Sequence, residues 1–225
     1  MISFMRRLAS YCSCCLNCGS FFVRDGLLCK RCDKSLQRLR TVAANESKPY
    51  AARALFEWNP GQSDLLSHLI LSLKGPGHKK IWSFYAKRFA QTFAEAVPSG
   101  KKIYVIPAPA KKANSCDHAY LWAEALATSL GATLIRGLEN VGSEGTKKQR
   151  RKDRGERALI ELKATVNYTE GVSFSEGPLI VFADDILTTG ATARAAHVAL
   201  GGPPHFEVWV LAKRSLSCGA SRDLL

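Results

Sequence analysis

The 225-residue chain has no apolar run near the ~20 residues that a membrane span requires, which argues against a spanning helix. No secretory leader is expected either. The apolar stretch at residues 1–11 is interrupted by Arg6 and Arg7, so no h-region forms. Leu8-Ala9-Ser10-Tyr11-Cys12 hints at a lipoprotein box but sets Tyr where a small residue is needed. The expectation is a cytoplasmic protein. Carboxylates are scarce, 19 Asp and Glu against 32 Lys and Arg, for a net charge of +13. Such an excess favours polyanionic partners, either nucleic acid or a highly phosphorylated substrate, and charge alone does not separate these from a merely solvated surface. No nucleophile for covalent catalysis stands out. His118 suits a base, but a lone histidine at a helix start is more often a cap or a surface residue.

Length and composition allow one α/β domain plus a small appendage. Six of the eight cysteines precede residue 33. Cys15-Leu16-Asn17-Cys18 and Cys29-Lys30-Arg31-Cys32 are two CxxC knuckles whose four thiolates suit a structural, tetrahedral zinc. Four sulfur ligands leave no open position for catalysis. Cys12 and Cys14 leave the register open, since Cys12 and Cys15 also make a CxxC, and a disulfide or redox pair is the competing reading. Gly19 suits a tight turn beside the first knuckle. Asp33 is expected to cap a short helix over 34–40, on a surface rich in Arg and Lys. The division expected is a zinc module at 1–40, a polar linker at 41–48 and a main domain at 49–225.

Along that domain, residues 50–58 form an extended apolar segment. Leu65, Leu66, Leu69, Ile70 and Leu73 give helical spacing over 63–73, and Gly75-Pro76-Gly77 stops that helix. A second helix is expected over 80–96, with Trp82, Tyr85, Phe89 and Phe93 on a core face. Strands are expected at 103–106, 133–135 and 206–212, and a helix at 119–130 with Gly131 as its stop. Residues 139–157 have no apolar period and carry Lys147, Lys148, Arg150, Arg151, Lys152, Arg154 and Arg157. That run is either a solvated charge cluster or a segment that closes over an anionic substrate. Strands alternating with helices predict a mainly parallel sheet, with ligands beyond the carboxyl ends of the strands.

The most informative stretch is 178–192. Residues 179–183 are a continuous apolar run, as in a parallel strand buried on both faces. Asp184 and Asp185 follow, then Ile186 and Leu187, then Thr188-Thr189-Gly190-Ala191-Thr192 opening onto an Ala-rich helix. A strand, a Gly/Thr turn and a helix N-terminus make an anion cradle, and the carboxylates before it suit neighbouring hydroxyls. A sugar phosphate offers both; a bare βα turn with a surface acid pair is the competing reading.

These residues resemble the phosphoribosyl-pyrophosphate signature of the type I phosphoribosyltransferases. With two CxxC knuckles in front, the chain from about residue 12 to 213 resembles the ComF/GntX family, phosphoribosyltransferase-like proteins linked to competence and DNA uptake. The resemblance implies a type I phosphoribosyltransferase-like parallel sheet flanked by helices. It implies that Asp184 and Asp185 bind the ribose hydroxyls and that Thr188, Thr189, Gly190, Ala191 and Thr192 hold the 5-phosphate. Leu73-Lys74 followed by Gly77 resembles Leu-Lys-x-x-Gly, which would set Lys74 beside the pyrophosphate. Val105-Ile106-Pro107-Ala108-Pro109 looks like the family's Val-Pro-Val-Pro strand end. Gln149 with Glu156 and Arg157 resembles the family's mobile loop. The chain departs from the family's Arg-Gly-Phe-Asn-Gln at Asn114-Ser115-Cys116-Asp117-His118, and from the Asn that follows Glu-Arg, near Ile160; both departures bear on the acceptor. The implied activity is magnesium-dependent transfer of a phosphoribosyl group to a nucleobase-type acceptor. The alternative is a non-catalytic protein of DNA uptake that binds nucleotide and single-stranded DNA and engages DNA-uptake proteins.

Overall fold

The computed structural model describes residues 14–23, 27–39, 41, 50–59, 64–74, 79–97, 100–110, 117–141, 161–165 and 177–215. Five parallel strands form the central sheet in the order β1-β7-β6-β2-β3: β1 (Ala51–Trp58), β2 (Ile103–Pro107), β3 (Thr133–Leu134), β6 (Leu179–Leu187) and β7 (Phe206–Arg214). Helices α1 (Lys30–Gln37), α2 (Leu65–Leu73), α3 (Lys79–Thr92), α4 (His118–Leu130) and α5 (Ala191–Ala199) lie around it. The expected parallel α/β architecture, a sheet flanked by helices, is what the chain forms.

Strand β6 shows why an unbroken apolar run suits its place. Side chains alternate between the two faces of a strand. Leu179, Val181 and Ala183 enter the core under α2, α3 and α4, while Ile180 and Phe182 enter a second core under α5. Both faces are covered, so neither tolerates a polar residue before Asp184. The first core is dominated by large rings: Trp82, Tyr85, Phe89, Trp122 and Trp209 are buried, and Trp122 Nε1 donates to Trp209 O at 3.0 Å. The aromatics expected on a core face of α3 are therefore core.

Capping sets the helix starts. Asp64 accepts from Ser67 N at 2.7 Å to begin α2, and Asp117 accepts from Tyr120 N at 2.9 Å to begin α4. Gly131 ends α4 in the left-handed conformation, as its sequence position predicts. Helix α3 stops at Thr92, and a 3-10 turn (Ala94–Ala96) covers the rest of the stretch expected to be helical to 96.

Two expectations need correction. Helix α1 begins four residues before the expected 34, because Cys29 in extended conformation is its N-cap. Asp33 thus lies in the first turn and accepts from Gln37 Nε2 at 2.7 Å instead of capping. Residues 139–157 were expected as one polar run, either a solvated charge cluster or a segment closing over an anionic substrate, with no strand assigned there. Their start instead belongs to β4 (Leu138–Asn140), which pairs antiparallel with β5 (Leu162–Ala164) as a separate ribbon.

Candidate functional site

The expected phosphate loop lies at the carboxyl end of the central strand β6, beyond the sheet, where ligands of parallel α/β proteins gather. The strand runs on past the expected 183 to Leu187, so Asp184 and Asp185 lie within it, two residues short of its end. Consecutive residues of a strand face opposite sides. Asp185 accordingly lies toward α2, where Lys74 Nζ at that helix's C-cap stands 3.5 Å from its Oδ2. Asp184 turns back on its own backbone, its Oδ1 accepting from Asp185 N at 2.8 Å. Both carboxylates are half-buried. The Lys74–Asp185 pair is open enough to solvent to be a weak bond, one that an incoming ligand can replace.

Only Thr188, Thr189 and Gly190 separate β6 from α5. Thr188 and Thr189 are exposed. Gly190 is the N-cap of α5 in the left-handed conformation, φ 72°. A residue with a Cβ resists that region. The amides of the first turn, at Ala191, Thr192 and Ala193, have no carbonyl one turn before them in the helix, so they are available to an anion. Ala191 N makes one long contact, 3.4 Å, to Thr189 Oγ1.

Two depressions meet at this loop. A cleft of about 590 Å³ is bounded by Asp184, Asp185, Lys74, Thr188 and Thr192, with Trp58, Arg214 and His118 completing its walls. A wider one of about 1210 Å³ runs from the same threonines between α5 and the β4–β5 ribbon. The structure thus brings Lys74, Asp184, Asp185, Thr188 and Thr192 onto one cleft. Gln149 and Arg157 lie outside the described residues, as do the basic cluster at 147–157, Gly77 and residues 111–116.

Sequence reasoning missed Trp58 and Arg214. They are register partners at the carboxyl ends of β1 and β7, and Trp58 Nε1 donates to Ser67 Oγ at 3.0 Å, which fixes the indole against α2. The only signal was their place at strand ends. His118, at the first position of α4, lines the same cleft, and its Nδ1 is buried without a hydrogen-bond partner.

The second expected centre also assembles. The sulfur atoms of Cys15, Cys18, Cys29 and Cys32 lie within 4.8 Å of one another, so the register with Cys15 as first ligand is the one that converges among the described residues. Cys12 lies outside them, and Cys14 is not in the cluster. Cys18 and Cys29 Sγ are 3.6 Å apart, far from a disulfide bond and near the roughly 3.8 Å edge of a tetrahedron with Zn–S of about 2.3 Å. Gly19, φ 71°, makes the first knuckle's turn, and its N donates to Cys15 O at 2.9 Å. The thiols oppose one another as charges. Burial works against the Cys15 thiolate, yet backbone donors at Cys29, Cys18 and Asn17 outweigh it and hold Cys15 down to about 7. Asn17 Nδ2 donates to Cys32 at 3.3 Å and favours its thiolate, but burial and the three neighbouring thiols push Cys32 up to about 12. Four sulfurs at such spacing can all be charged only around a cation, and this donor set can hold a metal such as zinc.

No family model matches the chain, and no curated protein matches it. Among solved structures it is similar to adenine phosphoribosyltransferase, with 15% identity, 81% of this chain and 89% of that chain covered, and a TM-score of 0.38. Among the described residues no helix is long and apolar enough to cross a membrane.

Proposed function

We propose that this is a phosphoribosyltransferase-like protein that binds phosphoribosyl pyrophosphate at the β6–α5 loop. The observation that carries the reading is the meeting of a glycine-capped helix N-terminus, two strand-end carboxylates and Lys74 on one cleft at the carboxyl end of a parallel strand. In this reading Thr188, Thr189, Gly190, Ala191 and Thr192 hold the 5-phosphate. Asp184 and Asp185 accept from the ribose hydroxyls, and Lys74 leaves Asp185 to balance the pyrophosphate. A type I phosphoribosyltransferase-like fold with a zinc module at 1–40, a linker at 41–48 and a main domain at 49–225 belongs to the same proposal.

Turnover would break the bond between the anomeric carbon and pyrophosphate and form one to a nucleobase-type acceptor. Positive charge grows at that carbon, and the carboxylates beside the ribose favour it. Magnesium prefers hard oxygen donors, which pyrophosphate and the carboxylates of Asp184 and Asp185 supply, and when bound it neutralises the leaving group. The chain's own residues orient the sugar; Gln149 and Arg157 would close over it.

A second reading rests on the zinc module. Phe21 and Phe22 are 77% and 87% exposed, and Lys30, Arg31, Lys34 and Arg38 line one shallow depression on α1. Exposed rings and a cationic helix in one small segment suit stacking and backbone contacts with single-stranded DNA, as in a non-catalytic, cytoplasmic DNA-uptake protein with uptake partners.

Calorimetry with phosphoribosyl pyrophosphate and magnesium tests the first reading. Saturable binding is expected, with at least tenfold weaker binding in Asp184→Asn/Asp185→Asn, and a nucleobase panel then reports pyrophosphate release. A silent pocket, with single-stranded DNA bound in a steeply salt-dependent way, would replace the first reading by the second.

A further inference from the structure

The back of the phosphate loop is held by two side chains that the sequence does not connect with it. Arg194 Nη1 donates to Thr189 O at 2.9 Å. Tyr50 Oη donates to Gly190 O at 3.3 Å, across 140 residues of sequence. Arg194 N also donates to Gly190 O, at 2.9 Å, as the first bond of α5. These contacts fix the orientation of two successive peptide planes.

In a trans peptide the C=O and the following N–H point in opposite directions. Among the described residues no peptide is cis. Holding Thr189 O toward Arg194 therefore turns Gly190 N–H to the other side. Holding Gly190 O toward Tyr50 and the helix turns Ala191 N–H the same way. Two successive amides directed out of a turn through a left-handed glycine form a concave anion nest. A Cβ at Gly190 would meet Arg194 Nη1 at 3.4 Å and Tyr50 Oη at 3.5 Å, ordinary contacts, so the left-handed φ of 72° is what calls for glycine there.

Tyr50 is itself well held. Its ring packs on Phe206 at 5.4 Å and His197 at 5.9 Å between centroids. Burial pushes its hydroxyl up from the ordinary tyrosine range, so it remains a proton donor. The guanidinium of Arg194 is exposed and adds a fixed positive charge behind the nest.

We propose that Tyr50 and Arg194 are positioning residues that pull the carbonyls of Gly190 and Thr189 back, so that the Gly190 and Ala191 amides present to a phosphate monoester. This rests on the reading of that loop as a 5-phosphate site. It adds a specificity: the nest selects the monoester end of a sugar phosphate, while pyrophosphate depends on the Lys74 side of the cleft.

Calorimetry with ribose 5-phosphate, and separately with pyrophosphate and magnesium, tests it in the full-length protein. Tyr50→Phe and Arg194→Gln should each weaken ribose 5-phosphate about five-fold, the scale of one hydrogen bond, and leave pyrophosphate unchanged. Arg194→Lys, whose charged ammonium donates at a longer reach than the Gln amide, should recover part of the loss. Amide NMR with inorganic phosphate gives the second readout: Gly190 and Ala191 should shift in the parent protein and respond weakly in Arg194→Gln. Parent-like ribose 5-phosphate affinity in both variants would overturn the positioning role and leave the phosphate site standing. Equal loss for ribose 5-phosphate and pyrophosphate would also overturn it, since general loosening acts on both. A parent protein that binds no ribose 5-phosphate would overturn the site and the positioning role together.

Discussion

At the scale of single residues the proposed phosphate site depends on one glycine. Gly190 holds φ 72°, a region that a side chain resists, while the atoms nearest to a Cβ there stand at ordinary contact distance. In Gly190→Ala the left-handed backbone costs about 1–2 kcal/mol, and the loop relieves it by turning a peptide plane. The expected result is a fall in thermal midpoint of a few degrees and a loss of ribose 5-phosphate affinity well beyond tenfold, read by differential scanning fluorimetry and calorimetry. Residues 184–192 were legible in the sequence because a strand-end acid pair and a Thr/Gly turn are adjacent in the chain. Tyr50 and Arg194 were not. Their contacts depend on which strand lies beside which helix, and nothing within a short window of sequence records that.

At the scale of elements, starts and stops follow local chemistry, and misreadings arise where tertiary packing takes over. Asp117 caps α4 through Tyr120 N, which the sequence does not distinguish from the polar residues around it. Asp117→Ala should cost about 1 kcal/mol in denaturant unfolding, the usual value of an N-cap. Helix α1 was expected to start at 34 because Asp33 is a good cap. Cys29 takes that role because the second knuckle runs straight into the helix and carries Cys32 to the buried side. Strand β6 was expected to end at its first carboxylate. Pairing with β7 carries it on, Asp184 with Val210 and Ile186 with Ala212, because a neighbour of nine residues offers ladder partners past the acids. The β4–β5 ribbon has three residues a side, with a long intervening segment, which leaves no periodicity to read.

At the scale of the whole molecule, the cysteine cluster and the sheet share a core. Cys15, Cys29, Cys32 and Leu36 belong to the same buried cluster as Phe89, Trp122 and Trp209. Arg88 of α3 reinforces the junction, 3.4 Å from Asp33 and over the Phe56 ring at 5.3 Å. A metal held by the four thiolates therefore stabilises more than its own knuckles. Stripping it with a strong chelator should lower the thermal midpoint by more than ten degrees and move the sheet's transition, seen by far-ultraviolet circular dichroism. A sheet transition unmoved by chelation would show that the cluster and the sheet unfold independently. Two CxxC pairs made the cluster legible in advance, whereas its burial against α3 depends on contacts far apart in sequence.

The four tryptophans divide unevenly between these places. Trp82, Trp122 and Trp209 are sealed in the core at 1% exposure or less, and Trp58 alone stands half-buried at the mouth of the cleft. A soluble quencher such as iodide reaches that one indole and spares the other three. The chain therefore carries its own optical reporter, in which quenchable emission follows occupancy of the cleft and protected emission follows the integrity of the fold.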